Sequence, residues 1–399
     1  MPRGDNARPA GPPNSDALGT AAAAYLDMPK HHKPRGAAPD EPVVRVAAVG
    51  DLLLASSPVE AEDAATPARL AAAGELLADA DVVVANLECT LPGDGTTVPT
   101  EPRVVARPEW IEAIARAGVS VVCLANNHMF DCLETGFRTL RDRLSSAGIG
   151  FFGAGEDLAE AAAPLTVEVG GKRLAFVAGV DERSGPSALA APGRAGVAPL
   201  DMDALTDRVR RLAASHDRVM VSLHWGDERF RLPSPEQIRQ AHALVDAGAA
   251  AVLGHHPHVL QGLETYRGVP IIYSLGNFLA NTVYWQDGDR MHWNRHERTG
   301  CILWLELGPD GRIEARQEAT YDDGHTIRRL DSPAARRLIG RRNRAVMRGV
   351  RRGRYRREHL RVRVLRPILA HLRWRELRRL RWRNVRNAMR NLRGSSGSR

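Results

Sequence analysis

The feature that most narrows what this chain can fold into is the alternation of short β-branched runs with longer stretches of helical character. The runs lie at residues 43–49, 82–84, 119–124, 174–177, 219–223, 251–253 and 269–273. Between them, residues 67–79, 109–117, 135–147, 202–215 and 235–247 carry the Ala, Leu, Arg and Glu of amphipathic helices. Runs that are apolar at nearly every position need cover on both faces, so the pattern predicts an α/β layered fold around a largely buried sheet. Asp201 is placed to cap the fourth helix, and Ser234, directly before Pro235, the fifth. Residues 301–307 and 312–317 read as a hairpin around Gly308-Pro309-Asp310-Gly311. Residues 280–299 show no period and carry Tyr284, Trp285, His292, Trp293 and His296, which reads as a lid or binding loop.

Six of the runs end in residues able to do chemistry. The ends are Gly50-Asp51, Asn86-Leu87-Glu88, Asn126-Asn127-His128 with Asp131 close behind, His224-Trp225-Gly226-Asp227, Gly254-His255-His256-Pro257-His258, and Ser274-Leu275-Gly276-Asn277. Ligands of open α/β sheets bind beyond the carboxyl ends of the strands, so these edges are expected to meet in one cleft. A Gly-Asp pair after a strand is also an ordinary turn, and paired Asn an ordinary cap. The histidines at 255, 256 and 258 are harder to place without a task. So is Glu88 behind an apolar strand, because an unpaired buried carboxylate is costly. Asp, Glu, Asn and several His without thiolate suit a divalent metal of the Zn, Mn or Fe type in a reactive site. Strand alternation puts His256 and His258 on one face and turns His255 away, although Pro257 keeps His255 a candidate. The candidate substrate contacts are Asn86, Asn126, His255, Ser274, Asn277, Trp285, Trp293 and His296.

Charge divides the chain. The net charge of +9 over 399 residues combines a segment from Arg336 onward, with 24 Arg against Glu358 and Glu376 (+22), and a remainder at −13. A hydrophobic content of 43% supports a sizeable core and excludes a chain disordered throughout. Residues 1–42 read as a flexible leader, 43–330 as the folded domain and 331–399 as a basic helical tail. In that tail, Leu365, Ile368, Leu369 and Leu372 share one helical face, and Trp382, Val385, Met389 and Leu392 another. With Trp374 and Trp382 among the arginines, docking on an anionic membrane surface is the preferred expectation. Nucleic acid is the rival, and packing against the acidic body the plain alternative. There is no secretory signal and no apolar run of roughly 18 residues, so the expectation is a cytoplasmic protein, at most peripheral to a membrane. Cys89, Cys123, Cys132 and Cys301 have no metal-type spacing and read as free thiols.

These motifs, in this order, resemble the capsule-synthesis protein CapA family of the poly-γ-glutamate type, which is similar to the calcineurin-like metallophosphatases. The stretches that carry the resemblance are VAAVGD, ANLE, LANNHMFD, SLHWGDE, GHHPHVLQGLE and IIYSLGNF, within about residues 43 to 320. The resemblance implies a four-layer α/β/β/α sandwich with a metal centre at one edge of the sheets. It puts Asp51, Glu88, Asn127, His224, His256 and His258 where metallophosphatases hold metal, and His128 where they place the histidine that protonates the leaving group. Two departures stand out. The usual D-x-H reads Asp51-Leu52-Leu53, and the usual G-D-x-x-D is replaced by Asn86-Leu87-Glu88. Both weaken the first metal position, so one metal or none is expected.

The resemblance implies an enzyme acting on a poly-glutamyl, peptidic or phosphorylated substrate with Mn, Zn or Fe. The same fold also resembles a metal-independent peptide epimerase of lasso-peptide biosynthesis, for which Glu88, His128, His224 or His296 would supply the acid and base. A third reading is non-catalytic, a scaffold docked through its basic tail.

Overall fold

The computed structural model describes residues 24–27, 43–366 and 368. Two sheets form its centre. One has seven strands in the order Ala24–Asp27, Leu165–Val169, Lys172–Val180, Arg218–His224, Ala251–His255, Val269–Ile272 and Leu263–Tyr266. The other has eight. Its path runs Ile327–Arg329, Ile313–Asp322, Thr299–Leu307, Val44–Leu53, Val82–Leu87, Val121–Cys123 and Gly150–Phe152, and Asn277–Ala280 pairs with Val44–Leu53 off that path. Every apolar run read from the sequence overlaps one of these strands, with 119–124 overrunning Val121–Cys123 at both ends.

The strand faces explain why the runs are apolar throughout. Leu174, Phe176, Ala178 and Val180 of one strand join Met220, Leu253 and Ile272 in the core shared with the other sheet. The alternate residues Ala175 and Val177 pack with Val219 and Val221 on Leu205, Val209, Ala241 and Leu244 of the helices Met202–Ala213 and Pro235–Asp246. On the far side, Leu70, Ile111, Ile114, Phe137 and Leu140 of helices Glu60–Leu77, Glu109–Arg116 and Leu133–Ser146 cover the eight-stranded sheet. The result is the expected four-layer α/β/β/α sandwich.

Local signals behave as their chemistry requires. Asp201 accepts from the backbone N–H groups of Asp203 and Ala204, and Ser234 forms a reciprocal capping box with Gln237. The 308–311 turn joins Thr299–Leu307 to Ile313–Asp322 as a hairpin. The first helix starts at Glu60, ahead of the expected residue 67, and carries Pro67 inside it. Buried polar anchors outweigh the lost N–H: Asp63 accepts from the Ser57 backbone N–H, and Arg69 pairs with Asp322 and donates to Asn281. The four cysteines are buried and free.

Two expectations about the ends meet the structure differently. Ala24–Asp27, inside the stretch read as a leader, forms an edge strand parallel to Leu165–Val169. The basic segment is helical over Pro333–Met347 and Arg352–His359, continuing as a π-turn through Leu360–Leu365, and it lies against the sandwich. Val346 is buried beside the outer face of the seven-stranded sheet, and Asn343 Oδ1 accepts from the Leu263 N–H. Trp374, Trp382 and the second apolar stripe lie outside the described residues. Among the described residues no helix is long and apolar enough to cross a membrane.

Candidate metal centre

The parallel strands of both sheets release their carboxyl ends at one edge. In the eight-stranded sheet, Asp51 is in register with Asn86 and with Asn277. In the seven-stranded sheet, His224 is in register with His255. A register shift between Ala48 and Asp51 bends the first of these strands where the chemistry begins. Gly50 makes that bend feasible: a Cβ there would lie 1.9 Å from the Gly276 carbonyl oxygen, the atom that accepts from the Asp51 N–H.

Asp51 and Glu88 are fully buried and sit on either side of the Asn86 amide, whose Nδ2 donates to Asp51 Oδ1 (2.9 Å) and Glu88 Oε2 (3.2 Å). His255 Nδ1 donates to Asp51 Oδ1 at 2.9 Å, and His258 Nδ1 lies 3.4 Å from Asp51 Oδ2. His258 also donates to Asn277 Oδ1 at 2.9 Å, while its Nε2 lies 3.5 Å from Glu88 Oε1. His224 Nε2 donates to Asn127 Oδ1 (2.8 Å) and is 3.9 Å from Glu88 Oε1. The rings of His224 and His256 are 4.7 Å apart. Two groups of donor atoms, each within 4.8 Å of one another, therefore share Glu88: one with His224 and His256, the other with Asp51 and His258.

Burial sets the protonation of these groups. Burial drives Glu88 up to about 8, against the pull of His258. His258 would be lowered by burial, but Glu88 and Asp51 raise it to about 10. Burial would raise Asp51 too, yet His255 and His258 hold it well below the usual carboxylate range. Burial and the neighbouring histidine His256 keep His224 neutral, and burial takes His256 down to about 4.

The residues fit a divalent cation. Glu88 Oε1, His224 Nδ1 and His256 Nδ1 are buried without a hydrogen-bond partner, each in a position where an unsatisfied polar atom is expensive. Carboxylate, imidazole and amide oxygen are the donor set of Zn, Mn and Fe sites. His128 stands beside them with its Nδ1 2.8 Å from Asp131 Oδ2. Burial would lower His128, but the Asp131 hydrogen bond and charge raise it, so it holds a proton readily. Asp131 is itself fixed by the Val104 N–H and the Ser187 hydroxyl.

The structure brings Asp51, Glu88, Asn127, His128, His224, His256 and His258 together. The histidine triplet does so by a different route from strand alternation. The strand ends at His255, and His256 (φ 92°) and His258 (φ 53°) adopt left-handed backbone, so His255 reaches Asp51 rather than turning away. Several residues read as substrate contacts position the centre instead. Asn86 spans the two carboxylates, Asn126 donates to Asn86 Oδ1 and the Leu87 carbonyl, and Asn277 orients His258. Ser274 accepts from the Gly276 N–H within its turn. Trp293 is buried, donates to the Asn281 carbonyl and lies 5.4 Å from the His258 ring. Trp285 stands apart, in the small hairpin of Val283–Tyr284 with Arg290–Met291, and His296 is exposed beside a group of arginines.

Sequence reasoning passed over Glu228 and Glu297. Burial would raise Glu228, but the charges of His258 and Arg229 and the other nearby histidines lower it. Its place one residue beyond His224-Trp225-Gly226-Asp227 was the available signal. Glu297 is fully buried; one of its oxygens takes Arg229 (3.0 Å) and Arg366 (2.7 Å), and its carbonyl accepts from Asn277 Nδ2.

Residues 45–282 match the family described as bacterial capsule synthesis protein PGA_cap. Similar curated proteins include the capsule biosynthesis protein CapA of Bacillus anthracis, 33% identical over 51% of this chain and 50% of that protein. The PGA biosynthesis protein CapA of Bacillus subtilis (strain 168) is 30% identical over 52% of each. A probable polyglutamine synthesis accessory protein of Mycobacterium tuberculosis is 35% identical over 49% of this chain and 55% of its own. The chain thus spans about half the length of the curated relatives it matches. Similar solved structures include a hypothetical protein from Thermus thermophilus, 18% identical, TM-score 0.44, covering 70% of this chain and 100% of that one. A putative 5'-nucleotidase from Staphylococcus aureus is 11% identical, TM-score 0.42, covering 75% of this chain and 58% of that one.

Proposed function

The chain belongs to the family of bacterial capsule synthesis proteins, and from that premise we propose that it is a metal-dependent enzyme that cleaves or transfers a bond in a poly-glutamyl, peptidic or phosphorylated substrate. The observation that carries the reading is the convergence of Glu88, His224 and His256 within 4.8 Å, next to a second group on Asp51 and His258 that shares Glu88. Asp51, Glu88, Asn127, His224, His256 and His258 would hold one cation, or two sharing Glu88. Bound there, a divalent cation supplies Lewis-acid polarisation of a substrate oxygen and a more acidic water.

The protein's own groups supply the rest. His128, held by Asp131 and keeping 14% of its side chain exposed, has a proton to give to a leaving group. Asn86 keeps the two carboxylates apart in fixed orientation, and Asn277 does the same for His258. Glu228 adds negative charge at the rim.

Elemental analysis of the purified protein, followed by chelation, tests the proposal. Mn, Zn or Fe at near-integral stoichiometry is expected. Chelation should abolish shortening of a γ-linked glutamate oligomer or release of phosphate from a phosphomonoester panel, and metal should restore it. Protein that takes up no metal, or activity indifferent to chelator, would refute it. His128→Asn should keep the metal and lower kcat by roughly 100-fold or more.

A further inference from the structure

Beyond the centre, the loop after His224, the turn at 294–298 and the basic C-terminal helices meet around a group of cations that outnumber the carboxylate among them, Glu358. Arg231 is half-buried; its backbone N–H is held by Glu358, whose charge also acts on the guanidinium, but that guanidinium makes no ion pair within 4 Å among the described residues. Arg342 lies on the helix Pro333–Met347, its Nε buried and without a partner. That helix cannot draw back easily. Its Arg342 carbonyl would stand 2.5 Å from a Cβ on Gly262, so only glycine allows the approach, and the neighbouring Asn343 is tied to Leu263. Arg361 completes the group, engaged by Glu358 and the Arg229 carbonyl.

The cations feel one another. Burial, then Arg231 and further arginines, takes Arg342 down to about 10 against the pull of Glu358; burial and Arg361 lower Arg231, again against Glu358; partial cover of its otherwise exposed ring, then the same arginines, lowers His296. A fold that gathers like charges at partial burial leaves a cost that a bound anion relieves. The nearby carboxylates are already engaged, Glu358 by Arg361 and Glu297 by Arg229 and Arg366. Glu297 also connects the group to the centre, because its carbonyl holds the Asn277 amide that orients His258.

We propose that Arg231 and Arg342, with Arg361 and His296, form a subsite for an oligoanion, a chain of closely spaced carboxylates or phosphates, whose reacting end lies at the metal centre. This deepens the functional reading above and rests on it for the direction of the chain. The two guanidiniums bind successive anionic groups through charge-assisted hydrogen bonds, and neutral chains of the same length are not retained. The helix that carries Arg342 and the turn that carries Arg361 both lie beyond the residues 45–282 matched to the family.

Binding to the full chain in excess chelator tests the subsite without calling on metal or turnover, so its failure is separable from failure of the enzymatic reading. The probes are a labelled γ-linked glutamate oligomer, tripolyphosphate and an uncharged glutamine oligomer of equal length. Tighter binding of either anionic probe than of the neutral one is expected, and the better of the two identifies carboxylate or phosphate as the natural group. Arg231→Gln and Arg342→Gln should each weaken that binding roughly tenfold, with melting temperatures checked in parallel, while the exposed Arg239→Ala leaves it unchanged. Equal binding of charged and neutral probes, or folded R231Q and R342Q proteins that bind like the unaltered one, would overturn the proposal.

Discussion

The amide of Asn86 satisfies two buried carboxylates at once, and its loss leaves both Asp51 and Glu88 short of a donor. Asn86→Ala should therefore destabilise the chelated protein by about 1–3 kcal/mol and the metal-loaded protein by less, since the cation offsets part of the repulsion; chemical denaturation in both states checks this. Gly50→Ala has a steric rather than an electrostatic cost. Its Cβ meets the Gly276 carbonyl, so strand and turn must part, and a loss of about 1–3 kcal/mol or more together with weaker metal uptake is expected in the same assay. Asp51, Glu88, Asn127, His128 and His224 were legible because each follows an apolar run, and strand ends are where such sheets place their chemistry. The geometry of His255, His256 and His258 was not, since alternation assumes an extended backbone and two of these residues have positive φ. Nor was the partition between ligands and supports. Asn86 and Asn127 look alike in sequence, and only the fold puts one between carboxylates and the other against an imidazole.

Among the elements, the helix Arg352–His359 is fastened by the Tyr355 hydroxyl on Asp227, by Tyr355 and His359 against Phe230, and by Glu358, which accepts from the Arg231 N–H and pairs with Arg361. Burial would raise Glu358, but the Arg361 hydrogen bond and the Arg231 N–H lower it below the ordinary carboxylate value. A lowered folded value means that this contact stabilises docking above the unfolded pKa near 4.3 and is lost as pH falls through the folded value. Protection factors across residues 352–365, with the intrinsic pH dependence of exchange divided out, should therefore fall on acidification below about pH 4, before those of the central strands do. Glu358→Gln should show faster exchange there already at neutral pH, as read by hydrogen–deuterium mass spectrometry. Helix starts at Asp201 and Ser234 were readable from capping chemistry, which is local. The start at Glu60 was hidden because Pro67 argues against it locally, while its compensation comes from Asn281 and Asp322, far along the chain.

For the molecule as a whole, the layered architecture was readable from the fully apolar runs, whereas the role of the basic segment was obscured by its composition. Twenty-four arginines suggested a separable appendage, yet Val346 is buried beside the seven-stranded sheet, and Ala345 and Val350 pack with Leu232. Truncation after residue 332 should then lower the melting temperature by several degrees and loosen residues 226–232 to protease. A melting temperature unchanged by that truncation would show that the packing carries no stability. Glu297 gives that dependence a further edge. One oxygen of a submerged acid is clasped from the family-matched span by Arg229 and from the terminal segment by Arg366. A chimera that imports its C-terminal portion from a cousin without an equivalent arginine would thus inherit a half-neutralised anion directly behind the amide that steadies His258.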